Sequence, residues 1–165
     1  MPQVTTVFLR NGAMIKYLGR DEVDRCIFSV RFEPGCTENV PWGERPFDCA
    51  VLTFDAQRLR EQCAAICEFL VDADTGWIST AGREAQWLHD EIDIASVAFG
   101  RQEAVGNGSP MTAWDDEATD ASAMVKYALT LGDGHDNVLV IVVGSDDDYG
   151  LIESEIRARL TDTIV

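Results

Sequence analysis

The stretch that decides the fold is Cys49-Ala50-Val51-Leu52-Thr53-Phe54-Asp55, running into Ala56-Gln57-Arg58-Leu59 and on to Leu70. Its first six residues form an almost unbroken apolar run, too short for an ordinary helix and without polar alternation, as in a strand buried on both faces. Asp55 then stands where a helix N-cap belongs, with a carboxylate to accept a free backbone amide. Beyond it, Leu59, Cys63, Ile66, Cys67 and Leu70 recur at three-and-four spacing and share one helix face, while Arg58, Arg60, Glu61 and Glu68 fall largely elsewhere.

The strand-then-helix alternation repeats downstream. Gly76-Trp77-Ile78-Ser79-Thr80 predicts the next strand, and a helix from about Arg83 to Phe99 puts Ala85, Leu88, Ile92, Ala95 and Phe99 on one stripe. After a loop from Gly100 to Gly108, Met111-Thr112-Ala113-Trp114 supplies a weaker strand. Asp115-Asp116-Glu117 opens a third helix that buries Ala121, Met124, Val125, Ala128 and Leu129, and Gly132 to Asn137 ends it. Val138-Leu139-Val140-Ile141-Val142-Val143 is the clearest core strand, followed by a helix from Tyr149 with Ile152, Ile156 and Leu160 inward.

Upstream, Asn11-Gly12 between Thr6-Val7-Phe8-Leu9 and Met14-Ile15-Lys16-Tyr17 is a strong hairpin signal. Cys26 to Phe32 reads as a third strand, and Glu33 to Pro46 as a loop of turn formers. Residues 1–165 therefore read as a single α/β domain, with a hairpin, strand and loop over 1–46 and four strand-helix units over 47–165. The expected architecture is a three-layer Rossmann-like sandwich, its sheet largely parallel with the N-terminal antiparallel hairpin at the edge.

The charge balance narrows the function. With 29 acidic and 13 basic residues, the net charge is -16. Such a field repels phosphate backbones and anionic lipid, so neither direct nucleic-acid binding nor membrane attachment is expected. It speeds encounter with a basic protein surface. The longest apolar run, Val138 to Val143, is too short to span a bilayer. Five cysteines and a start, Met1-Pro2-Gln3-Val4, without the plan of a signal peptide point to free thiols in the cytoplasm, in a monomer or small homo-oligomer.

In an open parallel sheet, ligands bind beyond the carboxyl ends of the strands. Asp55, Asp116, Asp146 and Asp148 fall in such loops and form a candidate site for a hard cation such as magnesium. The simpler expectation is that these carboxylates cap helices, which needs no ligand or cofactor. The loop Gly144-Ser145-Asp146-Asp147-Asp148-Tyr149-Gly150, with Asp146 and Asp148 after a core strand, resembles the acidic motif of toprim nuclease and topoisomerase domains. That resemblance implies a glutamate after an earlier strand, where this chain has Asp55, and a basic cluster that this chain lacks. His89, on the polar side of its helix near Asp90 and Glu91, and His135, in the turn after Gly132, have no nucleophile at a recognisable spacing. Cys63 and Cys67 belong to an apolar stripe and read as buried thiols.

Pro110-Met111-Thr112-Ala113-Trp114-Asp115-Asp116-Glu117, with the upstream Trp77 strand and the downstream apolar strand, is similar to small uncharacterised bacterial α/β families over roughly residues 47 to 160. The similarity implies the fold and transfers no catalytic residue. Trp114 reads as a core aromatic at a strand end, with an exposed partner anchor as the alternative. The functional expectation is a non-enzymatic, acidic binding protein of immunity or regulatory type. Trp114, Asp115, Asp116 and Glu117 are its candidate contact for a basic partner. The alternative is a magnesium-dependent phosphoryl-transfer or phosphoester-cleaving enzyme.

Overall fold

Every residue from Asn137 to Val143 is buried, because this apolar stretch runs through the interior of one sheet with helices on both faces. The computed structural model describes residues 7–8, 14–36, 40–73, 75–98, 111–130, 132, 134–160 and 162–163. In chain order the elements are β1 (Val7–Phe8), β2 (Met14–Arg20), β3 (Cys26–Arg31), β4 (Phe47–Thr53), α1 (Ala56–Asp72), β5 (Thr75–Gly82), α2 (Ala85–Ala98), β6 (Met111–Asp115), α3 (Ala121–Thr130), β7 (Asn137–Val143), α4 (Asp146–Arg157) and β8 (Asp162–Thr163). The strand order is β1-β2-β3-β7-β4-β5-β6, with β8 paired to β2.

From β3 to β6 all pairings are parallel. Those of β2 with β1, β3 and β8 are antiparallel. The expected α/β sandwich is thus the observed fold, with four strand-helix units and an antiparallel hairpin at one edge. The Asn11-Gly12 turn, Phe99 and the Gly100 to Gly108 loop lie outside the described residues. No sequence signal marks β8, nor the parallel pairing of β3 with β7, which runs from Cys26 with Asn137 to Arg31 with Val142.

Alternate residues of the central strands build two cores. Cys49, Val51, Leu139, Ile141 and Val143 pack with Leu59, Ile66 and Leu70 of α1 and Leu88 and Ile92 of α2. Ala50, Leu52, Val138, Val140 and Val142 pack with Met124, Val125 and Ala128 of α3 and Ile152 and Ile156 of α4. Each fully buried aliphatic side chain contributes about 1.5–3 kcal/mol relative to exposure, so the fold needs no cross-link.

Two helix starts differ from expectation, each because a short polar side chain redirects the backbone. Asp115 and its neighbours do not open α3. The Asp115 carboxylate accepts from the Glu117 and Ala118 amides at 2.9 and 3.2 Å and makes a turn, and Asp120 accepts from the Ala123 amide at 2.9 Å to start the helix at Ala121. Helix α4 begins at Asp146, ahead of the expected Tyr149, because Ser145 and Asp148 form a reciprocal capping box. Asp55 caps α1 as its position implies, accepting from the Arg58 amide at 3.0 Å.

At the end of β5, Gly82 has φ +93°, and a Cβ there would lie 2.3 Å from the Thr53 carbonyl oxygen. That same oxygen accepts from the Arg83 amide at 2.9 Å, so the turn into α2 needs glycine for both conformation and space. Among the described residues, no helix is long and apolar enough to cross a membrane.

Candidate functional site

Strands β4 and β7 lie side by side and their following helices cover opposite faces, so the loops after them flank the usual ligand crevice of an open α/β sheet. Here the chain's own groups bridge it. The Arg58 guanidinium donates to the Gly144 carbonyl, and the Phe54 amide donates to the Val143 carbonyl at 2.9 Å. Asp146 pairs with Arg31 at 3.0 Å, Asp148 accepts from the Ser145 amide at 2.9 Å, and Asp55 holds the start of α1. Asp116, carried on the β6 side, accepts from the Gln86 amide at 2.9 Å and so caps α2 from a separate element. Among the described residues, no three His, Cys, Asp or Glu side chains are placed to hold a metal ion. The four carboxylates Asp55, Asp116, Asp146 and Asp148 are each bonded into a helix start or an ion pair. Millimolar magnesium should therefore leave the melting temperature unchanged. Saturable stabilisation abolished by Asp146→Ala or Asp148→Ala would instead reveal a cation site.

The other candidate surface lies at β6, which among the described residues pairs with β5 alone. With no further described strand beside it, Trp114 is 46% exposed, which corrects the expectation of a core aromatic. Its ring leans on His89, with centroids 4.4 Å apart and planes at 52°. His89 is itself buried and not on the polar side of α2. Its Nδ1 lies 3.1 Å from Asp90 Oδ1 and its Nε2 lies 2.9 Å from the Thr112 hydroxyl, which also donates to Asp93 at 3.2 Å. The tryptophan thus stands on a hydrogen-bonded footing that fixes its orientation.

The carboxylates of Asp90 and Asp93 share its footing, whereas Asp115 lies in register with Ala81 and so faces the α3 side of the sheet. Asp115, Asp116 and Glu117 follow Trp114 in the chain, and the exposed side chains of Asp90 and Asp93 enter from α2. The four residues singled out from sequence are neighbours because they are contiguous, with Trp114 and Asp115 on opposite faces of the sheet, and the packing of α2 on β6 adds His89, Asp90 and Asp93 to the Trp114 side. Behind this rim, burial pushes Tyr127 up to about 12, with the negative charge of Asp115 adding to the shift. The Tyr127 hydroxyl is buried and makes no hydrogen bond among the described residues.

A polar network that sequence reasoning missed lies at the opposite ends of the strands. Asp48, 2% exposed, opens β4 and holds His135 Nδ1 at 2.8 Å. The His135 ring lies so close over Gly76 that a Cβ there would come within 2.0 Å of Cε1. Arg25 is buried too. Its Nε donates to Asp21 at 2.8 Å and its Nη2 to the Leu129 carbonyl at 2.7 Å. Arg25 Nη1 and Asp48 Oδ2 converge on Gly132, at 2.8 and 2.7 Å from where a Cβ would sit. The available signal was Asp48 itself, a carboxylate at the head of a strand buried throughout, which must find a partner.

All five cysteines are free. Burial pushes the Cys49 thiol well above its ordinary value, with Asp48 adding to the shift. The Cys63 and Cys67 sulfurs stand 3.8 Å apart on successive turns of α1.

No curated protein matches the chain. One family model does, that of a domain of unknown function, DUF7684, over residues 29–161. The matched span starts inside β3, takes in the rest of the parallel sheet and all four helices, and leaves out the β1–β2 hairpin. This agrees with the similarity to an uncharacterised α/β family drawn from the segments around Trp77 and Trp114. With most of its length matched, the chain belongs to the DUF7684 family of domains of unknown function.

Proposed function

We propose that the chain is a non-enzymatic binding module of immunity or regulatory type that holds a basic protein on the surface formed by the end of β6 and the adjoining flank of α2. The observation that supports this reading is the half-exposed Trp114, footed on His89 beside Asp90 and Asp93, with Asp115, Asp116 and Glu117 following it at the end of β6. A rigid aromatic beside exposed carboxylates suits a cationic partner. The ring supplies desolvated contact area and cation-π attraction, and the carboxylates steer the approach. The net charge of -16 extends that attraction beyond the contact itself. We place the protein in the cytoplasm, where its free thiols remain reduced. The magnesium-enzyme reading has no comparable support, because its carboxylates already serve the fold.

The test uses the triple substitution Asp115→Asn, Asp116→Asn and Glu117→Gln. It removes three charges and keeps the side-chain oxygens that make the turn and cap α2. The melting temperature should hold. When both proteins are immobilised and loaded with host extract, basic proteins retained by the wild type should leave the variant at lower salt. Equal retention by the two would overturn the reading.

A further inference from the structure

Among the described residues five large apolar side chains stand exposed, and three of them meet at one helix. Ile94 and Val97, 62% and 57% exposed, lie one turn apart on α2, and the third, Trp114, leans on His89 of the same helix. A single exposed apolar residue is ordinary, whereas a group on one element marks a contact surface. Toward α1 the patch runs into a groove of about 530 Å³, where Ile94 is joined by Trp87, Ala95 and Ala64. The charge on α2 has one sign. Over Ala85–Ala98 the helix carries Asp90, Glu91 and Asp93 and neither Lys nor Arg, and Glu68 brings a further carboxylate to the groove from α1. Arg60, which also lines the groove, is paired with Glu84 and held over the Trp87 ring, 4.2 Å from its centroid.

We propose, resting on the basic partner inferred above, that this face of α2 and its groove with α1 seat an amphipathic helix of that partner. Apolar residues of the incoming helix, at three-and-four spacing, cover Ile94 and Val97, and its flanking Lys or Arg meet Asp90, Glu91, Asp93 and Glu68. A second copy of the chain fits this face poorly. Pairing α2 with α2 would set the same three carboxylates against each other, between molecules that each carry a net charge of -16. The same charge repels an anionic membrane.

The probe is a labelled synthetic peptide of about five helical turns, with Leu on one face and Lys on the other. The full chain is titrated into it near physiological ionic strength, with fluorescence anisotropy followed. One peptide per chain should bind and gain helicity by circular dichroism, about tenfold or more tighter than a scrambled peptide of the same composition. A counterpart with Glu in place of Lys should not bind. Ile94→Ser/Val97→Ser alters two side chains already in solvent, so the melting temperature should hold while binding weakens by about tenfold or more. Leu151→Ser, at an exposed position on α4, should leave binding unchanged. Absence of saturable binding, equal binding of the ordered and scrambled peptides, or equal binding by the wild type and the Ile94→Ser/Val97→Ser variant would each overturn the seating of a helix here. The charge-dependent retention of basic proteins would then still stand or fall on the Asp115→Asn/Asp116→Asn/Glu117→Gln comparison. Dimerisation of the wild type in sedimentation, lost in Ile94→Ser/Val97→Ser, would give the face to a second copy and overturn the proposal as well.

Discussion

Replacing Arg25 with methionine should destabilise the protein by about 3–5 kcal/mol, the cost of leaving a buried carboxylate without its partner. The guanidinium sits between Asp21, at 2.7 Å from Nη2, and the region of Asp48 beside Gly132, and it also satisfies the Leu129 carbonyl. Both carboxylates are at most 6% exposed, so neither recovers its hydration when the cation is removed. For a domain of this size the change lowers the melting temperature by roughly 10 °C or more. Combining Arg25→Met with Asp21→Asn should recover part of the loss, because one of the stranded charges goes with it, and the double-mutant cycle measures the coupling. A loss below about 1 kcal/mol would place the pair among solvated surface bridges.

Trp114→Ala should weaken partner binding by 2 kcal/mol or more, about thirtyfold in Kd, as for an aromatic anchor at the centre of an interface. The loss should appear mainly as faster dissociation, since the indole provides contact area and carries no charge. Stability should change little, because nearly half of the side chain is already in solvent. Trp114→Phe should retain part of the affinity through its remaining ring. A Trp114→Ala variant that binds normally and melts at a lower temperature would assign the side chain to the fold alone.

The sequence was informative where a segment's surroundings are the same in any arrangement of the sheet. Val138 to Val143 lacks polar alternation because helices cover both of its faces, and Leu59, Cys63, Ile66, Cys67 and Leu70 mark the buried face of α1 whatever lies opposite. Helix starts were less legible. Periodicity sees only the buried stripe of α4, Ile152 and Ile156, whereas its first turn is set by hydrogen bonds between Ser145 and Asp148. Long-range features were illegible for a different reason. The exposure of Trp114 follows from the position of β6 at the end of the strand order, and the Asp48–His135 contact joins residues 87 positions apart. Of the candidate surface, Trp114 to Glu117 was readable because it is contiguous, while Asp90 and Asp93 joined it through the packing of α2.

The central claim is electrostatic capture, and the rate of association with a captured partner tests it most directly. Screening shortens the reach of charge to about 8–10 Å near physiological ionic strength, so the association rate measured by stopped flow should fall steeply as sodium chloride rises, while dissociation changes little. The Asp115→Asn/Asp116→Asn/Glu117→Gln variant should start slower and show a shallower salt dependence, at an unchanged melting temperature. A tight partner whose association rate is indifferent to salt, and equal in the wild type and this variant, would contradict the claim and leave the carboxylates beside Trp114 as a solubilising surface.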